Sequence, residues 1–417
     1  MGIFDYDLWK EVMETLSKNV LRTFLTTLGV IIAMLILLLL LGSVGGMTNG
    51  FNDLFKGTAT NSMFMWSQST SMPYKGFERG RRFRFTLDDV SVIKEQIYEI
   101  EDIAPRIQLG NFQSTSTVVR EGRSSGSAVY GDFPSIDLIQ KKKIVEGRFI
   151  NQNDIDKSRK VCVIGNDTYK LLFDKGEKAI GEQIKINGIY FSVIGIYKKN
   201  DNINFDGENA VFLPFTTFQK AFNTGNEIGW MAILVKPDEQ VAVAENKTKA
   251  LLKRRYNIHP EDPRAIGSFD FSQIFTGINA FTLALQGFSF FVGIFTLLAG
   301  VIAVSNILLI TVKERTKEIG VRRALGATPK IIKRQILLES LVLTVFAGII
   351  GFTLSVLILQ FLDAQFGSGD FPFRNPTVSF IQVGISFGLM VSLSILIGLI
   401  PANRAVKIRP IEALREE

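Results

Sequence analysis

Residues 24–44 read FLTTLGVIIAMLILLLLLGSV, a run that contains no charged side chain. A helix needs about 20 mostly apolar residues to cross the hydrocarbon core of a bilayer, so the run predicts a membrane span. The apolar region of a signal peptide is shorter, at about 7–15 residues. The run also follows a mainly polar segment, and we therefore interpret it as a retained anchor and not as a cleaved signal.

Three further charge-free runs predict three more spans: residues 271–312, 340–362 and 375–403. The longest uncharged run elsewhere, 57–74, is rich in Ser, Thr and Asn and includes Pro73, so it is not a span. The predicted fold is an α-helical membrane protein with four transmembrane helices and a large extracytoplasmic α/β (α+β) domain of two subdomains between spans one and two. We expect the spans at 23–45, 284–312, 336–362 and 377–400.

The positions of Lys and Arg predict the orientation of the chain. The loop 313–335 carries eight of them, whereas the loop 363–376 carries only Arg374. Because cytoplasmic loops are enriched in Lys and Arg, we place the basic loop inside and the long domain outside. The lipid bilayer thus accounts for the net charge of +7, and no nucleic acid is expected as a partner. The segments assigned to the cytoplasm are the amphipathic N-terminal segment, the basic loop and the tail: 1–22, 313–335 and 401–417.

The content of Cys and His excludes several kinds of site. Cys162 is the only cysteine and His259 the only histidine, so neither an intrachain disulfide nor a zinc site of clustered Cys and His is possible. No G-x-S-x-G or H-E-x-x-H motif occurs. We therefore predict no catalytic residues, no metal site and no cofactor in this chain, and we interpret His259 as a surface or packing residue.

The external domain, 46–283, has the pattern of a mixed α/β structure with an internal repeat. A strand at 62–66 precedes a helix that Thr86 and Asp89 open as a capping box and that extends to Tyr98. A strand at 229–235 and a charged amphipathic helix at 237–256 repeat this order. The repeat suggests two similar halves of one subdomain.

A β-rich subdomain is predicted at about 116–225, between those two halves. Its clearest signal is Asn187-Gly188 between two apolar alternations, which is typical of a tight hairpin. Residues 161–164 and 210–213 are expected to form further strands.

The segments that flank the external domain predict helices that continue beyond the membrane. Residues 46–55 follow span one without a helix breaker, and residues 271–285 lengthen span two beyond what a bilayer needs. Such helices would form a stiff stalk below the domain. The spans also lack charged residues near their centres, which argues against an ion-coupled pump and for an external source of energy.

Small residues at four-residue spacing predict close helix packing in two spans. One set is Gly42, Gly46 and Gly50, and the other is Gly384 and Gly388. Such spacing allows helix backbones to approach each other. Intramolecular packing and dimerisation both remain open for these glycines.

The cytoplasmic segment 313–329, KERTKEIGVRRALGATP, predicts a helix, a tight turn and a second helix. Glu318 and Arg322 are spaced i,i+4, Gly326 is suited to a helix C-terminus, and Thr328-Pro329 is suited to a helix start. A short rigid element between two spans would form a docking site for a cytoplasmic partner. The alternative is a loop that is basic only because it faces the cytoplasm.

Several of these segments resemble the MacB/FtsX-like family of ABC transporter permeases, and its MacB branch in particular. The resemblance is carried by 314–327, ERTKEIGVRRALGA, and is supported by 19–32, by Pro401-Ala402 with Ala405, and by 410–415, PIEALR. Residues 161–165 and 179–188 resemble the external domain of the family. The order of the segments is kept along nearly the whole chain.

The resemblance implies a permease subunit that works as a homodimer or with a related permease subunit. It implies that the cytoplasmic loops rest on ATPase subunits and that movement passes mechanically to the domain outside an inner (cytoplasmic) membrane, for export or efflux of a peptide, an antibiotic or a lipid-linked substrate. A periplasmic adaptor and an outer-membrane channel are further partners that it suggests. The ATPase-coupling residues that it implies are Glu314, Arg315, Thr316, Glu318, Ile319, Gly320, Arg322, Ala324, Leu325, Gly326 and Ala327.

One departure from some family members is the absence of the phosphate-binding motif G-x-x-x-x-G-K-[ST], since Gly-Lys never occurs in the chain. We therefore expect no enzyme activity here and expect ATP and Mg²⁺ to bind to a separate ATPase chain. A membrane receptor or scaffold that regulates an extracytoplasmic partner is the alternative function, and a membrane-bound enzyme is a third.

Overall fold

The structure is a computed structural model of the chain, and it describes residues 20–110, 114–198, 206–367 and 372–407. The first 19 residues and the signature 410–415 therefore lie outside the described residues. Contacts between Cα atoms divide the chain into two compact units. One unit is Asn52–Ile278, and the other comprises the described parts of Met1–Phe51 and Asn279–Glu417.

Helices and strands are numbered in chain order within the described residues. The helices are α1 Val20–Phe55, α2 Leu87–Gln96, α3 Ile136–Ile139, α4 Gln152–Asp156, α5 Asn166–Leu172, α6 Phe215–Phe222, α7 Val241–Arg255, α8 Phe271–Glu314, α9 Thr316–Ala324, α10 Pro329–Phe366 and α11 Phe380–Val406. The strands are β1 Ser62–Ser67, β2 Phe85–Thr86, β3 Ile100–Gln108, β4 Ser116–Arg120, β5 Arg123–Asp132, β6 Lys143–Gly147, β7 Val161–Gly165, β8 Gln183–Ile186, β9 Ile189–Lys198, β10 Ala210–Pro214, β11 Glu227–Ile228, β12 Trp230–Val235 and β13 Ile266–Asp270.

Four helices, α1, α8, α10 and α11, are long and apolar enough to cross a membrane, which confirms the predicted fold class. Two of them are longer than the predicted spans, since α1 continues to Phe55 and α8 already begins at Phe271. Their packed core joins α1, α8, α10 and α11 through apolar side chains, among them Val30, Leu37, Val301, Ala347 and Met390.

Backbone contacts between helices occur at glycines. A Cβ atom on Gly300 of α8 would lie 2.9 Å from the carbonyl oxygen of Gly29 of α1, so these two helices cross where neither has a side chain. Hydroxyl groups join α10 to α11. The Oγ atom of Ser394 lies 3.1 Å from Oγ of Ser340 and 3.0 Å from Oγ1 of Thr344. The described bundle is thus held by close packing and by a few buried hydrogen bonds.

The two sets of glycines predicted for helix packing have different surroundings. A Cβ atom on Gly42 would lie 2.3 Å from Leu359 of α10, and one on Gly50 would lie 2.3 Å from the carbonyl carbon of Pro372. A Cβ atom on Gly46 would likewise come too close to side-chain atoms of Phe373 and Pro376. This face of α1 therefore packs within the chain.

The second set lies on α11. Gly384 and Gly388 are exposed, and a Cβ atom on either would meet no atom within 4 Å in the described residues. This face of α11 is open in the single chain.

The unit Asn52–Ile278 contains an open antiparallel sheet in the order β13-β1-β12-β3. Two β-α-β halves build it, β1-α2-β3 and β12-α7-β13, and their strands alternate in the sheet. The repeat predicted from the sequence is therefore present as a split βαβ arrangement. Its helices are shorter than predicted, since α2 ends at Gln96 and α7 is Val241–Arg255.

The β-rich subdomain closes into a barrel. Its strands pair in the ring β4-β5-β10-β7-β9-β8 and back to β4. The predicted hairpin joins β8 to β9, with positive φ at Asn187 (44°) and Gly188 (89°) as a type I′ turn requires. Strand β5 also pairs with β3, so it belongs to both the barrel and the open sheet.

A buried cluster of charges lies where the barrel meets the open sheet. Arg106 of β3 donates from Nε to Oδ1 of Asp132 at 2.6 Å and from Nη1 to Oδ1 of Asp206 at 2.8 Å. Lys142 also binds Asp206, and all four side chains are at most 3% exposed. Burial alone would raise the pKa of Asp206, but Arg106 and Lys142 hold it well below its usual value. Two positive and two negative charges thus neutralise each other inside the domain.

Candidate functional site

The candidate site is the segment between the second and third membrane helices, which was predicted as a helix–turn–helix. Helix α8 ends at Glu314, and the single residue Arg315 separates it from α9, Thr316–Ala324. The backbone N–H of Arg315 donates to Thr311 at 3.0 Å, and its carbonyl accepts from Ile319 at 3.0 Å. Helix α9 is therefore attached to α8 without a flexible linker.

The C-terminal end of α9 has the hydrogen bonds of a Schellman motif. Gly326 adopts φ +100° and donates to the carbonyl of Arg323 at 3.2 Å, and Ala327 donates to that of Arg322 at 3.0 Å. Thr328 then takes the N-cap position of α10 without a capping bond from its hydroxyl, and Pro329 is the first helical residue. These bonds define the turn between α9 and α10.

Charged side chains connect α9 to the start of α10. Glu318 accepts from Arg315 at 3.0 Å and from Arg322 at 2.9 Å, which is the i,i+4 pair predicted from the sequence. Arg315 Nη1 also lies 3.1 Å from Oε1 of Glu339, and Arg322 Nη1 lies 3.4 Å from Oε1 of Gln335. Burial alone would lower the pKa of Arg315, but Glu339 and Glu318 raise it, so the guanidinium stays charged.

Apolar contacts complete the attachment of α9. Ile319 and Ala327 pack against a buried cluster formed by the ends of three membrane helices: Val312, Ile332, Ile336, Ala402 and Ala405. Arg323 Nη1 donates to the carbonyl of Val406 at 2.8 Å, which joins α9 to α11. A small cavity remains between α8, α9 and α10, and Arg315, Glu318, Gln335 and Glu339 line it.

The opposite face of α9 is exposed and partly apolar. Leu325 is 84% exposed and Val321 43% exposed, and Ile331 of α10 is 41% exposed. Lys317, Ala324 and Gly326 of the same segment are also exposed. These three side chains thus form an exposed apolar patch at the end of α9 and the start of α10.

The residues assigned by resemblance divide between these two faces. Those that face the rest of the chain are Arg315, Thr316, Ile319, Gly320, Arg322 and Ala327, with Gly320 buried. Those that are exposed are Glu314, Glu318, Ala324, Leu325 and Gly326. Sequence reasoning missed Arg323, Gln335 and Glu339. Glu339 immediately precedes the charge-free run of span three, and a carboxylate at that border was the available signal.

No group of three or more His, Cys, Asp and Glu side chains that would hold a metal ion occurs in the residues that the structure describes. Cys162, the only cysteine, is buried, and burial raises its pKa far above the usual value. This thiol is therefore unreactive in the folded domain.

The fold and the helix–turn–helix define a class: an integral membrane protein that carries a mixed α/β domain between its first two spans. Two family models match the chain. The MacB-like periplasmic core domain matches residues 23–251, and the FtsX-like permease C-terminal domain matches residues 290–410. The chain belongs to the MacB/FtsX-like family of ABC transporter permeases, which confirms the resemblance found in the sequence.

Curated relatives cover nearly the whole chain. Macrolide export ATP-binding/permease protein MacB of Bdellovibrio bacteriovorus is 28% identical over 407 residues, which are 97% of this chain and 61% of that protein. The protein of the same name from Neisseria meningitidis is 29% identical over 433 aligned residues, and the match covers 99% of this chain and 62% of that protein. The chain thus spans about three fifths of the length of these relatives.

Among solved structures, the periplasmic region of MacB from Actinobacillus actinomycetemcomitans is similar to part of this chain. The TM-score is 0.43 and the sequence identity 21%, and the match covers 54% of this chain and 95% of that one.

Proposed function

We propose that this chain is the permease subunit of an ABC transporter and that it converts ATP hydrolysis by a separate ATPase into a change of shape of its external domain. One observation carries the proposal: α9 presents an exposed apolar face while its other face is fixed to three membrane helices. An element that is free on one side and rigidly attached on the other is able to transmit a displacement.

The first step is docking. Leu325 at the end of α9 is the anchor, and Val321, one turn earlier, extends the same face. The Schellman turn at Gly326 and the ion pairs of Glu318 hold this face in one conformation before the ATPase binds. Preorganisation of this kind lowers the entropic cost of association.

The second step is transmission along α8. This helix runs for 44 residues, Phe271–Glu314, and follows strand β13 of the external unit without an intervening residue. A helix keeps its length of about 1.5 Å per residue, so a movement at Glu314 reaches Phe271 with little loss. Helix α1, Val20–Phe55, supplies a second rod.

The partners and cargo in this proposal are those that membership of the family suggests. ATP and Mg²⁺ bind to the ATPase chain, and two permease subunits, identical or related, form the transporter. The termini and α9 face the cytoplasm of a bacterium with an inner membrane, and the external domain faces the periplasm, where an adaptor and an outer-membrane channel complete the path. Its relatives are macrolide export proteins, which supports export or efflux of a peptide, an antibiotic or a lipid-linked compound.

Co-purification with candidate ATPases tests the docking step. The full chain is co-expressed with each ATPase, and the complex is isolated with and without ATP. Leu325→Glu should abolish the complex, because it places a charge in the apolar contact. The matched control is Leu171→Glu, which changes a leucine that is 53% exposed on α5 of the external unit. A complex that survives Leu325→Glu unchanged would refute docking through α9.

A further inference from the structure

A second exposed surface lies on the external unit, in the loop between β1 and β2. Residues 70–84 form what we call the basic hairpin. It contains five basic residues and one acidic residue, Glu78: Lys75, Arg79, Arg81, Arg82 and Arg84. The loop belongs neither to the barrel nor to the open sheet. Nothing in the proposed ATPase coupling uses it.

The tip of the basic hairpin is a tight turn. Tyr74 and Phe77 exchange two backbone hydrogen bonds of 3.0 Å each. Lys75 and Gly76 between them both have positive φ, 47° and 84°, as in a type I′ turn. The tip is therefore a defined turn with a fixed register.

The base of the basic hairpin is fixed by hydrogen bonds. The backbone N–H of Thr70 donates to Arg81 at 3.0 Å, and that of Gly80 donates to Thr70 at 2.7 Å. Asp262, which is 1% exposed, accepts from the backbone N–H groups of Ser71 at 2.7 Å and Met72 at 3.0 Å. The carboxylate thus joins this loop to the loop before β13.

The side chain of Phe77 is held in place at the surface. It is 44% exposed, and the guanidinium carbon of Arg81 lies 4.0 Å from its ring centroid. Arg81 in turn donates to the backbone carbonyl of Tyr256 at the end of α7. Met72, 37% exposed, is the other large apolar side chain that the hairpin exposes.

Several cations on and beside the hairpin are exposed. Arg79 and Arg82 form no ion pair with the described residues, nor do Arg254 at the end of α7 and Arg264 near Asp262. The hairpin and the end of α7 adjoin, because Lys75 Nζ lies 3.4 Å from Oδ1 of Asn257. The surface therefore combines an aromatic side chain held by a cation–π contact with several exposed guanidinium groups that form no ion pair in the described part of the chain.

We propose that the basic hairpin is a docking site for a protein that presents carboxylates around an apolar socket. Arg79 and Arg82 would bind the carboxylates in the bidentate manner that guanidinium groups favour, and Phe77 would enter the socket. A protein fits better than a membrane surface because two exposed apolar side chains offer little area for insertion into lipid. The stacking of Arg81 also fixes Phe77 in one position, as specific recognition requires.

Binding at the basic hairpin does not involve the ATPase and is measured without it. The full chain in nanodiscs of zwitterionic lipid is used to select from a phage-displayed library of random peptides. Selected peptides should combine Asp or Glu with an aromatic or aliphatic residue. Their affinity should fall at least about tenfold in Arg79→Glu/Arg82→Glu and in Phe77→Ser, and it should weaken as salt is added.

Two control variants make the result decisive. Lys157→Glu/Lys160→Glu reverses two exposed charges on the barrel subdomain and should leave binding unchanged. Arg79→Lys/Arg82→Lys keeps the charge but loses the planar fork, so it should give an intermediate affinity. Uncharged selected peptides, or peptides that bind equally to Arg79→Glu/Arg82→Glu, would overturn the proposal. The chain could instead bind phosphatidylglycerol vesicles, with Arg79→Glu/Arg82→Glu abolishing this binding and leaving peptide binding unchanged. That result would assign the surface to lipid.

Discussion

The guanidinium of Arg315 and the carboxylate of Glu339 lie 3.1 Å apart, Nη1 to Oε1, and join the residue between α8 and α9 to the third membrane helix. The Glu339 side chain is 5% exposed and that of Arg315 is 24% exposed. A charge this deeply buried is costly unless it is paired. The pair therefore fixes the position of α9 relative to α10, and either charge without its partner would destabilise the fold.

Removal of Arg315 should destabilise the protein more than removal of both partners. Arg315→Met leaves Glu339 buried beside fewer cations, and we expect a loss of about 3–5 kcal/mol in the free energy of unfolding. The double variant Arg315→Met/Glu339→Leu should recover a large part of this loss. Thermal unfolding of the full chain in detergent, followed by circular dichroism, measures both.

The control for that series is Arg404→Met, since Arg404 is exposed in the last turn of α11. Its effect should stay within about 0.5 kcal/mol. If Arg315→Met were no more destabilising than Arg404→Met, the contact between Arg315 and Glu339 would not contribute to the stability of the protein.

Reversal of the charges on α9 should weaken the complex with the ATPase without unfolding the spans. Glu318 bridges Arg315 and Arg322, so Glu318→Arg places three cations side by side, and Arg322→Glu places two carboxylates side by side. We expect about tenfold weaker co-purification for each, because the exposed face of α9 loses its fixed orientation. Helical circular dichroism of the same samples should be unchanged. A complex of normal strength in both variants would contradict the coupling role of these two residues.

The carboxylate of Asp262 predicts a dependence on pH. Burial alone would raise its pKa, but hydrogen bonds from Ser71, Arg264 and Met72 lower it to about 2. A depressed pKa stabilises the folded state above the unfolded value of about 3.9, and this contribution is lost as the pH falls towards 2. Hydrogen exchange of the amides of Ser71 and Met72, corrected for the intrinsic rate, should accelerate over that range.

Asp262→Asn is the matching variant, because the amide replaces a charged acceptor with a neutral one and loses one acceptor oxygen. The same two amides should exchange faster at neutral pH, and the pH dependence between 4 and 2 should disappear. Retention of the wild-type pH dependence in Asp262→Asn would show that another group controls the loop.

The parts of the fold that the sequence predicted correctly depend on neighbouring residues. The turn at Asn187-Gly188, the backbone N–H of Thr86 bound to Asp89 at 2.8 Å, and the glycine end of α9 are all local. The closure of the barrel was not predicted, because it depends on pairing between β4 and β8 and between β5 and β10, which are far apart in the chain. Glu339 was missed in the site for the same reason, since its partner Arg315 is 24 residues away.

The charge cluster at the junction of the two subdomains gives a last prediction, on the stability of the external unit. Arg106 faces both Asp132 and Asp206, so Arg106→Met leaves two buried carboxylates with only Lys142 as a counter-ion. Burial raises the pKa of Asp132 even with Arg106 in place. We therefore expect Arg106→Met to lower the free energy of unfolding by about 3–5 kcal/mol.

Trp230 provides the signal for this measurement, because the guanidinium of Arg106 lies 5.6 Å from its ring. Arg123→Met is the control, since the pair of Arg123 and Asp174 is exposed (46% and 76%) and such pairs contribute at most about 1 kcal/mol. Tryptophan fluorescence of the full chain in detergent, recorded against urea, compares the two variants. Equal midpoints would mean that the aromatic and apolar packing around the cluster, and not its charge pairing, holds the barrel to the sheet.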